Sequence, residues 1–360
     1  MIPVAAAALL LCGCIKSPAT SGIAIEAAGT STGTDSSADS ATASPGRIRI
    51  ATYNIQYFSA QAALKGDRLT KLRKVMADMK PDVVAVEEVA DREAMDLLFP
   101  KDKWQTVIDD DSDDSQDVAI TVRRPFRIEG VAADLDADDK DFVAPEPELE
   151  AYFPHRRDAL VVHVVPQRAK KVLTVIAVHE KARVGGRKLT DARREGASRI
   201  LVERLKRNYA GQNIVLLGDF NDTPDDASIH ILETGDVHSA GGMQQPAENF
   251  MVDLCAPLYA KNMVSEGASS YRLDSDDGLV NNVYPESRRR NDNGRLRDVD
   301  SGPLLIDQIL VTKSIEPAVV PGSTTIFRKP IALQGNHDTK ASDHLPVYTD
   351  IDLSKLPTAP

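Results

Sequence analysis

Alternating polar and apolar residues mark the first strand of the folded part of this chain. Residues 47–54 largely alternate between polar and apolar side chains, as expected for a strand with one buried face. Continuous apolar runs, typical of strands buried on both faces, follow along the chain. They cover residues 82–86, 118–122, 159–165, 172–178 and 214–217, with late strands at 304–311 and 345–351. The pattern therefore predicts a β-rich domain.

Two longer segments have helical periodicity. Residues 67–80 place five apolar side chains on one stripe, which Pro81 ends. Residues 190–207 form a second predicted helix, with Ile200 and Leu205 among its apolar positions. Strands outnumber helices and both recur to the end of the chain, which favours one α/β sandwich domain over two domains.

The N-terminus has the pattern of a targeting segment. Residues 4–11 are apolar, too short a run to span a bilayer but typical of a signal-peptide core. The segment from Leu11 to Cys14 resembles the bacterial lipobox, in which the last cysteine is lipidated and becomes the mature N-terminus. The first three residues include no Lys or Arg, so a start upstream is an alternative. The residues after Cys14 include no early Asp, which in such lipoproteins indicates the outer membrane, with secretion or a periplasmic location as alternatives.

A linker rich in Ser, Thr, Ala and Gly follows the cysteine. Its composition cannot bury enough apolar surface to offset the entropy of ordering, so we expect a disordered tether. The predicted organisation is a signal segment at 1–14 with lipidated Cys14, a linker at 15–46 and a catalytic domain at 47–354.

Charge and composition narrow the classes of function. A net charge of -11 argues against a surface that coats nucleic acid, but not against a cleft neutralised by metal ions. Aromatic residues make up 5% of the chain, so material for base stacking is sparse. Cys255 is the one cysteine beyond the N-terminal segment, and we expect it to be a small buried hydrophobe.

Three segments are predicted to be loops. The acidic stretches 109–117 and 134–150 lack the ligand spacing of an EF-hand, which favours solvated insertions over calcium sites. Residues 265–301 carry three consecutive arginines at 288–290, which either grip a phosphate-rich substrate or face solvent.

Polar residues gather where the predicted strands end. They are Asn54, Glu87, Glu88, His179, residues 218–222, Asp307 within the strand at 304–311, and residues 342–344. Loops held by a rigid sheet are where enzymes usually build sites. Carboxylates, amides and a few histidines suit a hard cation such as Mg²⁺ or Mn²⁺, which can clamp a phosphate and activate water.

Five of these stretches resemble the endonuclease/exonuclease/phosphatase superfamily. They are Thr52-Tyr53-Asn54-Ile55, Val86-Glu87-Glu88-Val89, Gly218-Asp219-Phe220-Asn221, Ile306-Asp307-Gln308-Ile309-Leu310 and Ser342-Asp343-His344-Leu345-Pro346. Each is weak alone, but they occur in the family's order across residues 47–353. The resemblance implies a four-layer α/β sandwich in which two packed mixed sheets are flanked by helices.

The resemblance also implies a metal site. Glu88 matches the metal-binding glutamate, Asn54 the amide beside the metal, and Asp343 a further metal-site aspartate. Glu87 stands where the family commonly has glutamine. The implied cofactor is Mg²⁺ or Mn²⁺, with Ca²⁺ in addition as an alternative.

The catalytic residues implied by the resemblance surround that metal. Asp219 and Asn221 match the pair that positions the attacking water and the phosphate. His344 matches the histidine that contacts the scissile phosphate, oriented by Asp307, and His179 the acid for the leaving group. Arg157 matches a phosphate-contacting arginine. Gln116 and Asp117 both match the position of the carboxylate that supports His179.

The expected function is that of a monomeric phosphoesterase that hydrolyses the phosphodiester bonds of nucleic acid through a metal-activated water. Sphingomyelinase-like or inositol-phosphate phosphatase activity is an alternative, and a catalytically idle, tethered binding protein on the same fold is a second. Residues 218–222 and 335–338 also look like fragments of calcineurin-like phosphoesterases, but the other motifs of that family are missing from the sequence.

Overall fold

The structure is a computed structural model that describes residues 46–109, 116–129, 133–135, 159–166, 172–242, 249–267, 278–283, 303–336 and 338–358. The predicted signal segment, Cys14 and nearly all of the linker lie outside the described residues. So do Arg157, most of both acidic loops and the arginines at 288–290.

The described residues form two mixed β-sheets. Their strands are β1 (Arg47–Phe58), β2 (Val83–Val89), β3 (Trp104–Ile108), β4 (Asp117–Arg123), β5 (Arg127–Ile128), β6 (Ala133–Leu135), β7 (Ala159–Val165), β8 (Leu173–His179), β9 (Ile214–Asp219), β10 (Met251–Asp253), β11 (Asp307–Thr312), β12 (Thr325–Ile326) and β13 (Val347–Asp352). The first sheet has the order β12-β13-β1-β2-β4-β3. The second has the order β10-β11-β9-β8-β7-β5, with β6 also paired to β7.

Each sheet has one parallel pair near its centre. In the first sheet β1 runs parallel to β2, and in the second β8 runs parallel to β9. Parallel strands end at the same edge of a sheet, so the residues that end β1 and β2 lie together, as do those that end β8 and β9. The two sheets also face each other, since β1 contacts β9 and β11 while β4 contacts β7 and β8.

Helices cover the outer faces. They are α1 (Ala60–Ala63), α2 (Arg68–Met79), α3 (Arg92–Leu98), α4 (Arg187–Asn208), α5 (Ala227–Thr234) and α6 (Ala256–Tyr259), with short 3-10 helices at Glu316–Ala318 and Pro330–Ala332. The first long helix, α2, ends with Lys80 in the left-handed conformation just before Pro81, which cannot continue a helix.

Alternation along the strands divides the core into layers. Val175 of β8 belongs to the cluster that also holds residues of the first sheet, such as Ile50. Its neighbour Ile176 faces the opposite way and packs with Ile200 and Leu201 of α4. Apolar residues of α2, including Leu72, belong to the larger cluster. The predicted four-layer α/β sandwich is confirmed.

The predicted elements match the structure with a few differences. The helices at 67–80 and 190–207 correspond to α2 and α4. The strand predicted at 304–311 begins only at Asp307, because Leu304 instead bridges to Glu266 outside the main ladder. Short elements such as α3 and β3 were not predicted. No helix among the described residues is long and apolar enough to cross a membrane.

Candidate active site

Three neighbouring strands of the second sheet place polar side chains on one rung. His179 at the end of β8 pairs in register with Asp219 at the end of β9, and Asp219 pairs with Asp307 at the start of β11. Gly218, the residue before Asp219, has a φ of 148°, and a Cβ there would lie 1.9 Å from the Val178 carbonyl oxygen. Glycine is therefore required for β9 to approach β8 closely beside the site.

The first sheet contributes through two irregular strand ends. The pairing of β1 with β2 shifts register between Asn54 and Phe58, and β2 shifts against β4 between Val86 and Val89. Glu88 has a φ of 59°, a left-handed conformation that is unfavourable for residues other than glycine. Bulges of this kind re-aim side chains near functional sites, and this one brings Glu88 beside Asn54.

Hydrogen bonds join these two strand ends. The Asn54 side-chain amide donates to the Glu88 carboxylate at 3.1 Å and to the Asp219 carboxylate at 3.0 Å. His179 Nε2 lies 3.9 Å from Glu88 Oε1 and 3.8 Å from Asp219 Oδ2. Asn54 thus connects the two sheets at the point where the carboxylates meet.

The turn before β13 supplies the second histidine. The Ser342 hydroxyl donates to the Asn54 carbonyl at 2.6 Å and accepts from the His344 backbone N–H at 3.1 Å. His344 Nδ1 lies 2.9 Å from Asp307 Oδ2, and His344 Nε2 lies 3.9 Å from Asp219 Oδ2. A carboxylate at Nδ1 places the proton on that nitrogen of the neutral ring, so Nε2 is the atom that can exchange a proton.

Burial dominates the electrostatics of the site. It raises the pKa of Asp219 to about 7, although His344 and the Asn54 hydrogen bond oppose that rise. Burial also raises the pKa of Glu88. It lowers the pKa of His344, but the carboxylates of Asp307, Asp219 and Asp343 outweigh it and hold that pKa well above the usual value. The site thus brings several carboxylates together in a buried position, where loss of hydration disfavours their negative charges.

The carboxylate, amide and imidazole groups of the site are suitable ligands for a hard divalent cation. Ligand atoms of Asp219, Asp307 and His344 all lie within 4.8 Å of one another. The resemblance places the metal instead at Glu88, Asn54 and Asp343, where Asn54 donates to Glu88. Both groups are rich in oxygen ligands, which Mg²⁺ and Mn²⁺ prefer. A cation here would offset the cost of burying several carboxylates together.

The other predicted residues fall in different places. The Asn221 backbone N–H donates to Asp219 Oδ1 at 2.9 Å and its side chain to the Glu180 carbonyl at 3.1 Å. Asp117 is buried at the start of β4, whereas Gln116 donates to the Tyr57 hydroxyl at 3.1 Å. Arg157 lies outside the described residues. Cys255 is a free, fully buried thiol as predicted, and burial raises its pKa well above the usual value.

Sequence reasoning did not identify Gln56 or Ser265, two residues that hold the site. Gln56 donates from its side chain to Asp343 Oδ2 at 2.7 Å. Ser265 accepts from the backbone N–H groups of Ile306 and Asp307, both at 3.3 Å. Gln56 lies in the irregular end of β1, where its left-handed φ of 50° breaks the alternation that a sequence pattern relies on. Ser265 contacts residues about 40 positions away, so no local pattern could have indicated it.

A buried ionic network lies behind the Asp219–Asn221 turn. Arg183 donates to the Asn221 carbonyl at 2.8 Å and to the Asp222 carboxylate at 3.0 Å. Arg194 of α4 is fully buried and pairs with the same carboxylate at 2.7 Å. Asn221 has a φ of 53°, so these contacts hold a turn that the backbone alone would not favour.

We expect Arg194→Met to lower the free energy of unfolding by about 3 kcal/mol, because it removes one partner of the buried Asp222 carboxylate. Urea unfolding followed by the fluorescence of Trp104 measures the change. Arg193→Met is the matched control, since Arg193 is the exposed neighbour on the same helix. Equal stability of the two variants would contradict a structural role for this network.

A comparison with family models identifies the family. Residues 51–344 match the family described as Endonuclease/Exonuclease/phosphatase. None of the curated proteins compared with the chain matches it.

Several solved structures share the fold. An endonuclease/exonuclease/phosphatase from Bacteroides vulgatus is 17% identical with a TM-score of 0.51, covering 85% of this chain and 99% of its own. TDP2 of D. rerio, solved with a single-strand DNA product, is 16% identical with a TM-score of 0.51 and coverages of 84% and 98%. The human Nocturnin catalytic domain, solved with a bound sulfate, is 14% identical with a TM-score of 0.52 and coverages of 85% and 93%. With the family match spanning most of its length, this chain belongs to the endonuclease/exonuclease/phosphatase family of phosphoester hydrolases.

Proposed function

We propose that this protein is a divalent-metal-dependent phosphodiesterase that hydrolyses nucleic acid outside the cytoplasm. The observation that carries the proposal is the His344–Asp307 pair, whose free ring nitrogen faces Asp219 beside the Asn54–Glu88 hydrogen bond. A binding protein would not need a buried histidine that is both oriented by one carboxylate and aimed at another.

The reaction is in-line attack of water on phosphorus without a covalent enzyme intermediate. Asp219, whose pKa is raised to about 7 by burial, accepts a hydrogen bond from the attacking water and takes up its proton near neutral pH. His344 contacts the scissile phosphate through Nε2 and, in its protonated form, stabilises the charge that develops there. Asp307 holds the ring in place, and Asn221 helps to position the water and the phosphate.

The second histidine of the site, His179, is the acid for the leaving group. It lies within 4 Å of both Glu88 and Asp219, so it borders the same small volume as His344. Glu88, Asn54 and Asp343 would hold the divalent cation, whose chemistry there is to neutralise charge on the phosphate and on the leaving oxygen.

Several observations favour nucleic acid as the substrate. TDP2 of D. rerio, which shares this fold, was solved with a single-strand DNA product. The human Nocturnin catalytic domain, which also shares it, was solved with a sulfate anion. Two histidines and a predicted secretory segment suit an extracellular enzyme better than an enzyme of chromosomal repair. Sphingomyelin-like lipids and inositol phosphates are the competing substrates.

A substrate panel tests this function. Plasmid DNA, RNA, sphingomyelin and inositol phosphates are incubated with the protein in Mg²⁺, in Mn²⁺ and in EDTA. We expect cleavage of nucleic acid that EDTA abolishes and excess metal restores. Turnover of lipid or inositol phosphate far above that of nucleic acid would overturn the ranking. Failure to hydrolyse even bis-p-nitrophenyl phosphate with metal would favour the idle binding protein.

The same proposal includes a location. Acylation at Cys14 would supply more than one lipid chain, which stable attachment to a membrane requires. A tether of the composition found at residues 15–46 would let the catalytic domain sample the space around the envelope.

We expect Cys14→Ser to release the protein from the membrane fraction, because the lipid anchor can no longer form. Fractionation of cells followed by immunoblotting measures the release. A chain that starts at Gly46 should be soluble, with unchanged specific activity on small phosphodiesters, since the site residues all follow that position. Persistent membrane association of Cys14→Ser would instead indicate an uncleaved apolar segment or a protein partner.

A further inference from the structure

An open groove of about 420 Å³ lies beside the candidate active site. It is formed by the end of β1, by α1 and by the start of α2. Its lining residues include Gln56, Tyr57, Gln61, Lys65, Arg68 and Asp338. None of these residues has a role in the proton transfers described above.

The groove meets the active site at Gln56. Gln56 lines the groove, and its side-chain amide donates to the Asp343 carboxylate at 2.7 Å. A phosphate bound to a cation at Asn54 and Asp343 would therefore have its next chemical group near the mouth of this groove.

Tyr57 stands out on the wall of the groove. Its side chain is 51% exposed, which makes it the most exposed aromatic residue in the part of the chain that the structure describes. It also has a φ of 50°, as does Gln56 before it. The left-handed backbone conformation is strained for a bulky residue. The fold therefore keeps this aromatic ring exposed to solvent although the backbone conformation is unfavourable. Gln116 donates to its hydroxyl at 3.1 Å, which helps to fix the ring.

The groove is lined by more positively charged than negatively charged side chains. Lys65 and Arg68 are the cations and Asp338 is the anion. Arg68 is buried and donates to the carbonyl oxygens of Ile55, Gln56 and Ala341, so it supports the bulge rather than a ligand. Lys65 is exposed and is the cation that can meet a second phosphate.

We infer that this groove binds the nucleotide next to the scissile phosphate, with its base stacked on the Tyr57 ring and its outer phosphate near Lys65. An exposed aromatic face next to a cation is the combination that proteins use for single-stranded nucleic acid. The inference rests on the proposed function and narrows it to substrates with an unpaired base beside the cleaved bond.

The test compares two substrates that differ only in their bases. One is a tetranucleotide of thymidine, and the other is a chain of the same length and phosphate count in which every residue is abasic. We expect the wild-type protein to show a kcat/KM about tenfold higher on the thymidine substrate, the magnitude typical of one stacked base. Tyr57→Leu should remove this preference and Tyr57→Phe should retain it. Lys65→Gln should lower kcat/KM on both substrates and reduce its dependence on salt.

The matched control is Leu64→Gln, since Leu64 is exposed and does not line the groove. It should keep the wild-type preference. Cleavage of both substrates at equal rates by the wild type, or a preference that survives in Tyr57→Leu, would overturn the subsite while leaving the phosphodiesterase intact. Hydrolysis of neither oligonucleotide, with turnover of another phosphoester, would overturn the proposed function and the subsite together.

Discussion

Glu88→Gln is expected to lower turnover by roughly two to three orders of magnitude, whereas Glu87→Gln next to it is expected to leave turnover nearly unchanged. The expected loss corresponds to the several kcal/mol that a bound metal contributes to charge stabilisation. Glu88 contributes one of the oxygen ligands that would hold the cation, and glutamine would bring an amide with no negative charge.

The two neighbours differ because their surroundings differ. Glu87 is fully buried, and burial raises its pKa well above the usual value, which favours the neutral carboxyl that a glutamine resembles. Its Oε1 accepts from the Thr52 hydroxyl at 2.8 Å, a bond that a glutamine carbonyl can also accept. Glu88 is turned toward Asn54 and His179 by its left-handed backbone.

Steady-state kinetics on bis-p-nitrophenyl phosphate across a Mg²⁺ titration separate the two variants. Glu88→Gln should show the lower kcat even at saturating metal, and urea unfolding should show that both variants remain folded. Near-normal turnover of folded, metal-loaded Glu88→Gln would contradict the assignment of the metal site. A large loss in Glu87→Gln would mean that Glu87 is ionised and takes part in the site.

The central strands and most of the site residues could be predicted from the sequence, because both follow from local patterns of apolar and polar residues. Apolar runs located most of the central strands, and the polar residues after them lie together because β1 and β2, like β8 and β9, run parallel. The helix α2 was predicted almost to the residue, since its apolar stripe and Pro81 define both its face and its end.

The parts that could not be predicted depend on contacts between distant segments or on local strain. Arg183 and Arg194 pair with Asp222 across 28 or more positions, and no spacing in the sequence indicates such partners. The left-handed residues Gln56, Tyr57 and Glu88 contradict ordinary residue preferences, so the bulges that aim the site are visible only in the structure. The low aromatic content argued against surfaces on which bases stack. Composition alone could not show that one of the few aromatic rings, that of Tyr57, is exposed beside the site.

His344→Ala is expected to lower kcat by about a thousandfold, within the range observed when a positioned proton-transfer group is removed. His344 is the group whose Nε2 faces Asp219 while Nδ1 is held by Asp307. The surrounding carboxylates hold its pKa above the usual value, which favours the imidazolium form, and alanine removes the ring that carries the proton. Asp307→Asn should cost about as much as His344→Ala, because an amide keeps the shape of the pair but donates its N–H to Nδ1 and so holds the ring in the wrong tautomer.

A control substitution at a third histidine separates these effects on catalysis from damage to the fold. His163 on β7 is partly buried and contacts Thr174 at 3.2 Å, in the second sheet but outside the site. His163→Ala should therefore keep wild-type kcat while losing a comparable ring. If His344→Ala and His163→Ala retain equal turnover, then His344 has no part in the chemistry. If Asp307→Asn loses as much as His344→Ala, the two residues act as one unit, as such pairs do when neither works without the other.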